Sequence, residues 1–424
     1  MPNTIAQNLQ RLVNAKSAIS EAITAKGGTV STGDGFEDFP TDIASIPSGG
    51  GGGSGDASKP VRFMDYDGSI VASYTPEEFA ELTEMPANPS HDGLTAQGWN
   101  WLLSDAKEHV SSYGTLDVGQ MYITDDGRTR LYVRMQDGRR SPILELYLNA
   151  NSELDIDWGD DTPHSTFTST SADYKSERHT YASAGDYIIS IGVTSGSFSL
   201  QSSSTNISTL LTNGSKSTYS TDRAYLNTIR KIEIGDGVAS IGACAFYFCT
   251  SLSQISIPSS VTSIESNAFS YCYSLSQISI PSSVTSIESN AFRSSYSFSQ
   301  ISIPSSVTSI ESGAFWSCTS LSQIFISSSV TSIERDAFRD CYSFSQITIP
   351  DSVTSIGACV FYSCYSLGYI KFTRNSPPTV SSGNAFSSIP TDCKILVPRG
   401  SLSSYRNATN YPSSSTYTYE EYDV

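Results

Sequence analysis

Apolar residues in the C-terminal half of the chain recur with a period of 23 residues. Each unit reads Leu-x-x-Ile-x-Ile-Pro, then x-x-Val-x-x-Ile, then a turn of small residues and Phe. A single unit has too few apolar residues to close a core, so it must stack on its neighbours. Three columns stay in phase over six copies: Val238, Val261, Val284, Val307, Val330 and Val353; Phe246, Phe269, Phe292, Phe315, Phe338 and Phe361; Ile255, Ile278, Ile301, Ile324, Ile347 and Ile370. The pattern predicts a solenoid over residues 229–424, with short strands pairing in a parallel sheet.

The positions just after the repeated Phe vary, whereas most other columns hardly change. The variable positions are rich in Tyr, Trp and Arg, which dominate binding hot spots. Six stacked copies would extend them over roughly 25 Å. We therefore predict a receptor-binding strip; drift on an exposed turn is the alternative, and it should favour Lys, Glu, Asn and Ser. The strip consists of Tyr247, Tyr271, Arg293, Trp316, Arg339, Tyr362, Tyr273, Tyr296, Tyr342 and Tyr365.

The N-terminal segment, residues 1–47, reads as a helix followed by a docking segment. Apolar residues in the helix follow alternating steps of four and three, which is typical of a short coiled coil. Packing of this helix on its own chain is the alternative. Gly27 and Gly28 end the helix, and a Gly/Ser-rich linker follows over residues 48–58. The narrow apolar stripe consists of Ile5, Leu9, Leu12, Ile19 and Ile23.

Residues 59–142 are predicted to form a small α+β domain. Val61 to Tyr74 alternates like a hairpin with its turn at Asp67-Gly68, and Thr75-Pro76-Glu77-Glu78 is a strong helix start. A second helix is expected over Thr95 to Val110. Two strands follow, from Gln120 to Thr124 and from Arg130 to Met135.

Short alternating segments over residues 143–200 predict a β-sandwich, and residues 201–228 read as a connector. Asp155-Ile156-Asp157-Trp158-Gly159-Asp160-Asp161, His179-Thr180-Tyr181 and Gly185-Asp186-Tyr187 resemble the PKD family of immunoglobulin-like domains. Asp161 stands where that family usually has Gly. The acidic residues allow two interpretations, a calcium site or caps of the turn between two strands.

Composition and charge restrict the function classes. The net charge is −17, which disfavours binding to phosphate backbones or anionic membranes. No apolar run reaches the length of a membrane span. The four histidines are not spaced as metal ligands or placed beside a nucleophile, and the repeated acids Glu265, Glu288, Glu311 and Glu334 occur once per turn. We expect no enzymatic activity, no cofactor and no bound metal ion.

Five cysteines share one register of the repeat, namely Cys249, Cys272, Cys318, Cys341 and Cys364, and Ser295 takes the remaining place. Side chains in one register point the same way from successive turns and serve as small buried groups. The interruption by Ser295 argues against obligatory pairing. We expect reduced structural thiols, with a disulfide or metal role as the alternative.

The repeat is similar to the BspA type of leucine-rich repeat, which occurs in surface and virion proteins of bacteria and their phages. The likeness continues past the repeats, where Pro377-Pro378-Thr379, Ala385-Phe386 and the stretch from Ile395 to Tyr405 match the C-terminal cap of that group. The resemblance implies a solenoid that presents a binding surface. For function it implies binding and no particular partner.

The sequence has no recognisable secretory signal or membrane anchor, and residues 1–47 resemble attachment segments of tail-associated phage proteins. We therefore expect a phage virion protein that binds a host cell-surface protein or glycan through the solenoid. Residues 1–47 would dock on other virion proteins, and a homo-oligomer is expected, with a trimer as first choice. A bacterial cell-surface adhesin of the BspA type is the alternative. Neither nucleic-acid binding nor membrane insertion is expected.

Overall fold

The computed structural model describes residues 56, 58–65, 69–101, 103–201, 210–212, 228–297 and 299–423. The predicted N-terminal helix, docking segment and most of the linker lie outside the described residues, as do the Asp67-Gly68 turn and most of the connector. By its contacts the chain divides into Met1–Gly53 and Ser54–Val424. The second unit is mainly β, and no helix in its described part is long and apolar enough to cross a membrane.

The first part of this unit is a four-stranded sheet with two helices, which we call the α+β unit. Its strand order is β2-β1-β4-β3, with β1 antiparallel to β2 and parallel to β4. The predicted capping box is present, because Thr75 and Glu78 exchange side-chain to backbone hydrogen bonds. The elements are β1 (Val61–Met64), β2 (Ile70–Tyr74), α1 (Pro76–Ala80), β3 (Leu94–Trp99), α2 (Leu103–Tyr113) and β4 (Leu116–Thr124).

The predicted second helix, Thr95 to Val110, is wrong in its first part. Leu94–Trp99 is strand β3, and the helix α2 begins only at Leu103. The strand pairs antiparallel with β4, with Thr95 opposite Ile123 and Trp99 opposite Gln120. This long-range partner decides the conformation of residues 94–99, which their local pattern does not reveal.

A two-sheet sandwich follows. One sheet has the order β5-β10-β7-β8, and in the other β6 pairs with β9, β11 and β12. Its elements are β5 (Thr129–Met135), β6 (Ile143–Leu148), β7 (Ser152–Asp157), β8 (Ser165–Ser169), β9 (Asp173–Arg178), β10 (Gly185–Ser195), β11 (Phe198–Leu200) and β12 (Leu211–Thr212).

Two boundaries differ from those expected. Strand β5 belongs to the sandwich, where it pairs with β10 and buries Leu131, Val133 and Met135 in the core, so the sheet boundary falls after residue 124 instead of 142. Within the expected connector, Leu211–Thr212 forms β12 on β6. In both places the apolar residues find their partners in a sheet distant in sequence.

Both sheets of the sandwich continue directly into the solenoid. Strand β5 pairs antiparallel with β13, and β11 pairs in parallel with β14. One hydrophobic cluster therefore runs from Leu131 to Tyr419, and the sandwich covers the open end of the first repeat. The solenoid strands are β13 (Ile229–Glu233), β14 (Val238–Ile241), β15 (Gln254–Ser256), β16 (Ser263–Ile264), β17 (Gln277–Ser279), β18 (Ser286–Ile287), β19 (Gln300–Ile303), β20 (Ser309–Ile310), β21 (Gln323–Ile326), β22 (Ser332–Ile333), β23 (Gln346–Ile349) and β24 (Ser355–Ile356).

The repeats stack in the predicted register. Gln254 lies opposite Gln277, and Gln300 opposite Gln323, in parallel pairing. The Phe column is buried and its rings stack at centroid distances of 5.3 to 6.0 Å along the solenoid. At the C-terminal end a cap closes the core with buried Tyr405 and Tyr419. The cap comprises β25 (Tyr369–Phe372), β26 (Thr379–Val380), β27 (Lys394–Pro398), α3 (Leu402–Arg406) and β28 (Thr418–Tyr422).

Candidate functional site

The turn that carries the predicted strip has the same backbone in every repeat. The residue two positions after the repeated Phe has a positive φ, and its N–H donates to a carbonyl of the next repeat, as Tyr271 does to Arg293 at 2.7 Å. This locks neighbouring turns together. The positive-φ residues of this column are Phe248, Tyr271, Ser294, Ser317, Asp340 and Ser363, with φ between 56° and 63°. A left-handed conformation at a bulky residue such as Phe248 is uncommon and persists only where the surroundings enforce it.

Rings and guanidinium groups alternate along the strip. Arg293 lies over the Trp316 ring at 3.8 Å and over the Tyr271 ring at 5.8 Å. Arg339 lies 5.0 Å from the rings of both Trp316 and Tyr362. Each contact has the geometry of a cation–π pair, so these five side chains order one another.

The remaining strip residues extend this array. Tyr247 contacts Tyr271 edge-on at 5.6 Å. Tyr273 stacks on Tyr296 at 4.8 Å, and Tyr342 stacks on Tyr365 at 5.6 Å. Tyr296, Tyr342 and Tyr365 are 38%, 46% and 60% exposed, the most exposed large aromatic residues of the described chain. The structure thus places all ten predicted residues along one side of the solenoid.

Sequence reasoning left three members of this surface out of the strip. Phe248 stacks on Tyr271 at 4.3 Å. Asp340 accepts a hydrogen bond from Trp316 Nε1 at 3.0 Å, and Asp336 accepts one from Arg339 at 3.3 Å. Burial alone lowers the pKa of Arg339, but the hydrogen bond to Asp336 and the charges of Asp336 and Asp340 raise it above its ordinary value. Phe248 and Asp340 lie in the variable turn, which was the available signal, whereas Asp336 lies two residues before the repeated Phe338.

The open face of the solenoid sheet is covered by the α+β unit over four repeats. The contacting residues occupy the x of Ile-x-Ile, namely Ser256, Ser279, Ser302 and Phe325. Ser256 Oγ accepts from Tyr122 N at 2.9 Å, and Ser302 Oγ donates to Asp117 O at 2.6 Å. A Cβ on Gly119 would lie 1.8 Å from Ser279 Oγ, so the approach there requires glycine.

Phe325 is the exception in its column, since the three preceding repeats have serine. It is 5% exposed and packs in the core of the α+β unit, where the His109 ring lies 6.2 Å away and edge-on. The sequence contained this signal, a Phe in a column of Ser, but nothing local identifies the surface that it meets.

The acidic turn after β7 holds its carboxylates in protein contacts. Asp157 accepts from Gly159 N at 2.9 Å, and Asp160 accepts from Thr162 Oγ1 at 2.6 Å and contacts His179 Nε2 at 2.8 Å. Asp155 accepts from Arg128 at 2.9 Å. These bonds are those of turn-capping side chains. In the part of the chain that the structure describes, no group of acids, histidines and cysteines is arranged to hold a metal ion.

The aromatic residues of the segments in which the sequence resembles a PKD domain also contact one another. The Trp158 and His179 rings stack at 4.6 Å, and Tyr181 Oη donates to Trp158 O at 3.0 Å. Tyr187 packs on Tyr181 at 4.1 Å. The motif therefore forms the end of the sandwich core.

The cysteines of the ladder are buried, and Cys272, Cys318, Cys341 and Cys364 form no disulfide. The thiols of Cys272, Cys318, Cys341 and Cys364 each donate to the carbonyl of a repeated Phe at 3.0 to 3.2 Å. Ser295 makes the same bond to Phe269 O at 2.8 Å. Burial raises the pKa of the Cys272, Cys318, Cys341 and Cys364 thiols well above the ordinary value. Neutral buried thiols are poor nucleophiles and poor metal ligands.

Comparison with known proteins gives a family match for the solenoid. The model of the BspA type leucine rich repeat region matches residues 222–344 and 285–411. No curated protein matches the chain.

Solved structures similar to part of the chain include three bacterial leucine-rich repeat proteins. The protein of T. pallidum, TpLRR, is 34% identical over 31% of this chain and 61% of its own, with a TM-score of 0.30. One from Bacteroides ovatus ATCC 8483 is 28% identical over 40% and 56%, with a TM-score of 0.29. A leucine rich cell surface protein from Faecalibacterium prausnitzii A2-165 is 26% identical over 45% and 66%, with a TM-score of 0.30. The chain thus spans between 56% and 66% of these relatives. Residues 222–411 thus match the BspA type leucine rich repeat region, and the solenoid that they form is joined at its N-terminal side to a β-sandwich that shares its sheets.

Proposed function

We propose that this is a non-enzymatic attachment protein that binds a host cell surface through the strip of ten aromatic and arginine residues. The continuity of the strip carries the proposal. Arg293 and Arg339 each lie between two rings of the array. Drift on an exposed turn would not select side chains that interlock with those of the neighbouring repeats.

Mutual stacking favours binding in two ways. Side chains that are already ordered lose less rotamer entropy when a partner binds. Tyr, Trp and Arg also bury much area at low entropic cost and dominate hot spots. A further argument comes from the sheet face, which the α+β unit already covers over four repeats. The turn strip is not part of that covered face, and Tyr296, Tyr342 and Tyr365 on it are exposed.

We further propose that the protein is located on a surface, and specifically on the surface of a phage virion. Proteins with the BspA-type repeat are typically surface-associated. In the virion proposal residues 1–47 attach the protein to other virion proteins as a trimer, and the PKD-like sandwich joins the attachment region to the solenoid. A bacterial cell-surface adhesin is the alternative. Labelling purified particles and whole bacteria with an antibody against the solenoid separates the two locations.

A competition experiment tests the attachment function itself. Purified full-length protein, added to host cells before the particles, should occupy the receptor and reduce particle adsorption in a dose-dependent way. The same protein with Trp316→Ala and Arg339→Ala should compete at least tenfold less well. Arg399→Ala is a matched control, because Arg399 is an exposed arginine of the C-terminal cap paired with Asp423. Equal competition by all three proteins would contradict the proposal.

A further inference from the structure

Two arginines occupy the same position of the repeat, and only one of them has carboxylate partners. Arg339 lies 3.3 Å from Asp336 Oδ1 and 3.5 Å from Asp340 Oδ2. Arg293 stands two repeats earlier, where Asn290 and Ser294 take the places of those two aspartates. Among the residues that the structure describes, no carboxylate lies within ion-pair distance of Arg293, whereas Arg339 has two. The Nε atoms of both arginines are buried without a hydrogen-bond partner, so the contrast between them lies in the carboxylates. The repeat at Arg293 therefore has an arginine where the later repeat has Arg339, but it lacks the two carboxylates of Asp336 and Asp340.

The surroundings of Arg293 determine which of its edges a ligand can reach. Trp316 covers the guanidinium at 3.8 Å, and Tyr271 lies on it at 5.8 Å. Arg293 is partly exposed, and a guanidinium that stacks on a ring keeps its N–H groups in its own plane, where they can donate to a ligand. Such a fork matches the two oxygens of a carboxylate, which it binds in a bidentate manner.

From this comparison we propose that Arg293 anchors a carboxylate of an acidic polysaccharide, in the place that Asp336 and Asp340 occupy beside Arg339. The proposal rests on the strip being the binding surface. Hydroxyl groups of Tyr273 and Tyr296 lie in the same two repeats and suit the many hydroxyls of a sugar chain.

Charge makes the site selective. The chain carries a net charge of −17, so a dense polyanion is repelled as a whole. A sugar chain with spaced carboxylates places one of them at Arg293 at a smaller electrostatic cost. Binding should therefore depend on the carboxylate and not follow the total charge of the ligand.

The test installs the missing anions. Asn290→Asp with Ser294→Asp recreates the later repeat, and both positions tolerate aspartate because the backbone there matches that of Asp336 and Asp340, with φ of 56° to 58°. The full chain is applied to an array of uronic- and sialic-acid oligosaccharides, each beside its carboxyl-reduced form. We expect the wild type to bind carboxylated members at least tenfold more tightly than reduced ones. The double variant and Arg293→Gln should lose this difference.

Controls separate the possible failures. Ser363→Asp adds the same charge in the same column three repeats away and should bind like the wild type. Any one of three results would overturn the proposal. They are a lack of binding to every carboxylated glycan, binding that is the same before and after carboxyl reduction, and equal retention of a polyglutamate peptide. If Trp316→Ala abolishes adsorption to host cells while the double aspartate variant adsorbs normally, the strip binds its receptor and the carboxylate site is refuted. If both variants adsorb normally, the attachment function fails as well.

Discussion

Ser295 and the ladder cysteines combine two roles, because a small side chain both fills the interior of the turn and can donate a hydrogen bond there. Each is small enough for the interior of the turn. Ser295 and four of the cysteines donate to the carbonyl of a repeated Phe, as Ser295 does to Phe269 and Cys318 to Phe292. The donor satisfies a buried carbonyl that would otherwise lose its hydrogen bond to water. The prediction of unpaired packing thiols agrees with this geometry, whereas the hydrogen bond was not foreseen.

Substitutions at Cys318 test this role. Cys318→Ser keeps a donor of similar size and should change the free energy of unfolding by less than about 1 kcal/mol, as the natural serine at 295 suggests. Cys318→Ala removes the donor and should cost about 1–3 kcal/mol. Denaturant unfolding measures both. Equal losses in the two variants, or disulfides found by mass spectrometry of the alkylated, unreduced protein, would contradict the packing account.

At the scale of elements, the docking of α2 on the solenoid sheet depends on one aromatic side chain. Phe325 in β21 leaves the serine pattern of its column and enters the core of the α+β unit beside His109 and Trp101. The hydrogen bonds of this interface, such as those at Ser256 and Ser302, are individually worth about 1 kcal/mol. The position of the α+β unit on the sheet should therefore be unusually sensitive to this residue.

Restoring the column serine tests that dependence. Phe325→Ser should cost about 2–5 kcal/mol, as for truncation of a buried aromatic side chain. The loss should appear as faster amide hydrogen exchange in α2, while the repeated Phe core stays protected. Thr348→Ser, at the same place in the next repeat, is the control and should leave α2 unchanged. Uniformly faster exchange along the solenoid would show that Phe325 supports the solenoid itself.

The same interface should weaken in mild acid. Burial lowers the pKa of His109 from 6.5 to about 4, so the folded protein favours the neutral imidazole. Above pH 6.5 the imidazole is neutral in the folded and the unfolded protein, so its burial has no protonation cost. As the pH falls from 6.5 towards 4 only the unfolded protein gains the proton, which lowers the free energy of unfolding by roughly 3 kcal/mol. His109→Phe keeps a ring and removes the titration. Thermal melting between pH 7 and 4.5 should fall less steeply in this variant, and parallel curves for the two proteins would contradict the assignment.

The elements that the sequence predicted well are those with local signals. The repeat, the capping box at Thr75 and the alternating strands depend on spacing within a few residues or on one period. The sequence predicts a helix where residues 94–99 form a strand, because the partner strand β4 lies over twenty residues away. The pairing of β5 with β10 and the covering of Ser256, Ser279 and Ser302 depend on longer-range contacts still. Of the site, the sequence identified the variable positions, but the cation–π order among them required the stacking geometry.

At the scale of the whole molecule, sandwich and solenoid share two sheets and one core. The sandwich thus serves as the N-terminal cap that a stack of repeats requires, and the tyrosine-rich segment at residues 405–419 closes the other end. Because one cluster spans this length, the repeats near the sandwich should not unfold independently of it.

Assembly is predicted from the N-terminal stripe of residues 5 to 23. If it forms a coiled-coil seam, the full chain should be a trimer by light scattering, with a dimer the next expectation. Deletion of residues 1–47 should give a folded monomer that no longer joins particles. A deletion variant that keeps the oligomeric state of the full chain would place the interface elsewhere.

The most direct test of the account is attachment by a strip variant whose fold is intact. Trp316 lies between Arg293 and Arg339 and contributes to no core column, so Trp316→Ala should leave the melting temperature nearly unchanged. If the strip binds the receptor, attachment to host cells should weaken by about 1–3 kcal/mol, a loss of roughly 5- to 150-fold in affinity. Glu288→Ala, in the repeated acidic column, should attach like the wild type. Wild-type attachment by Trp316→Ala would contradict the central claim and move the binding surface away from the turns.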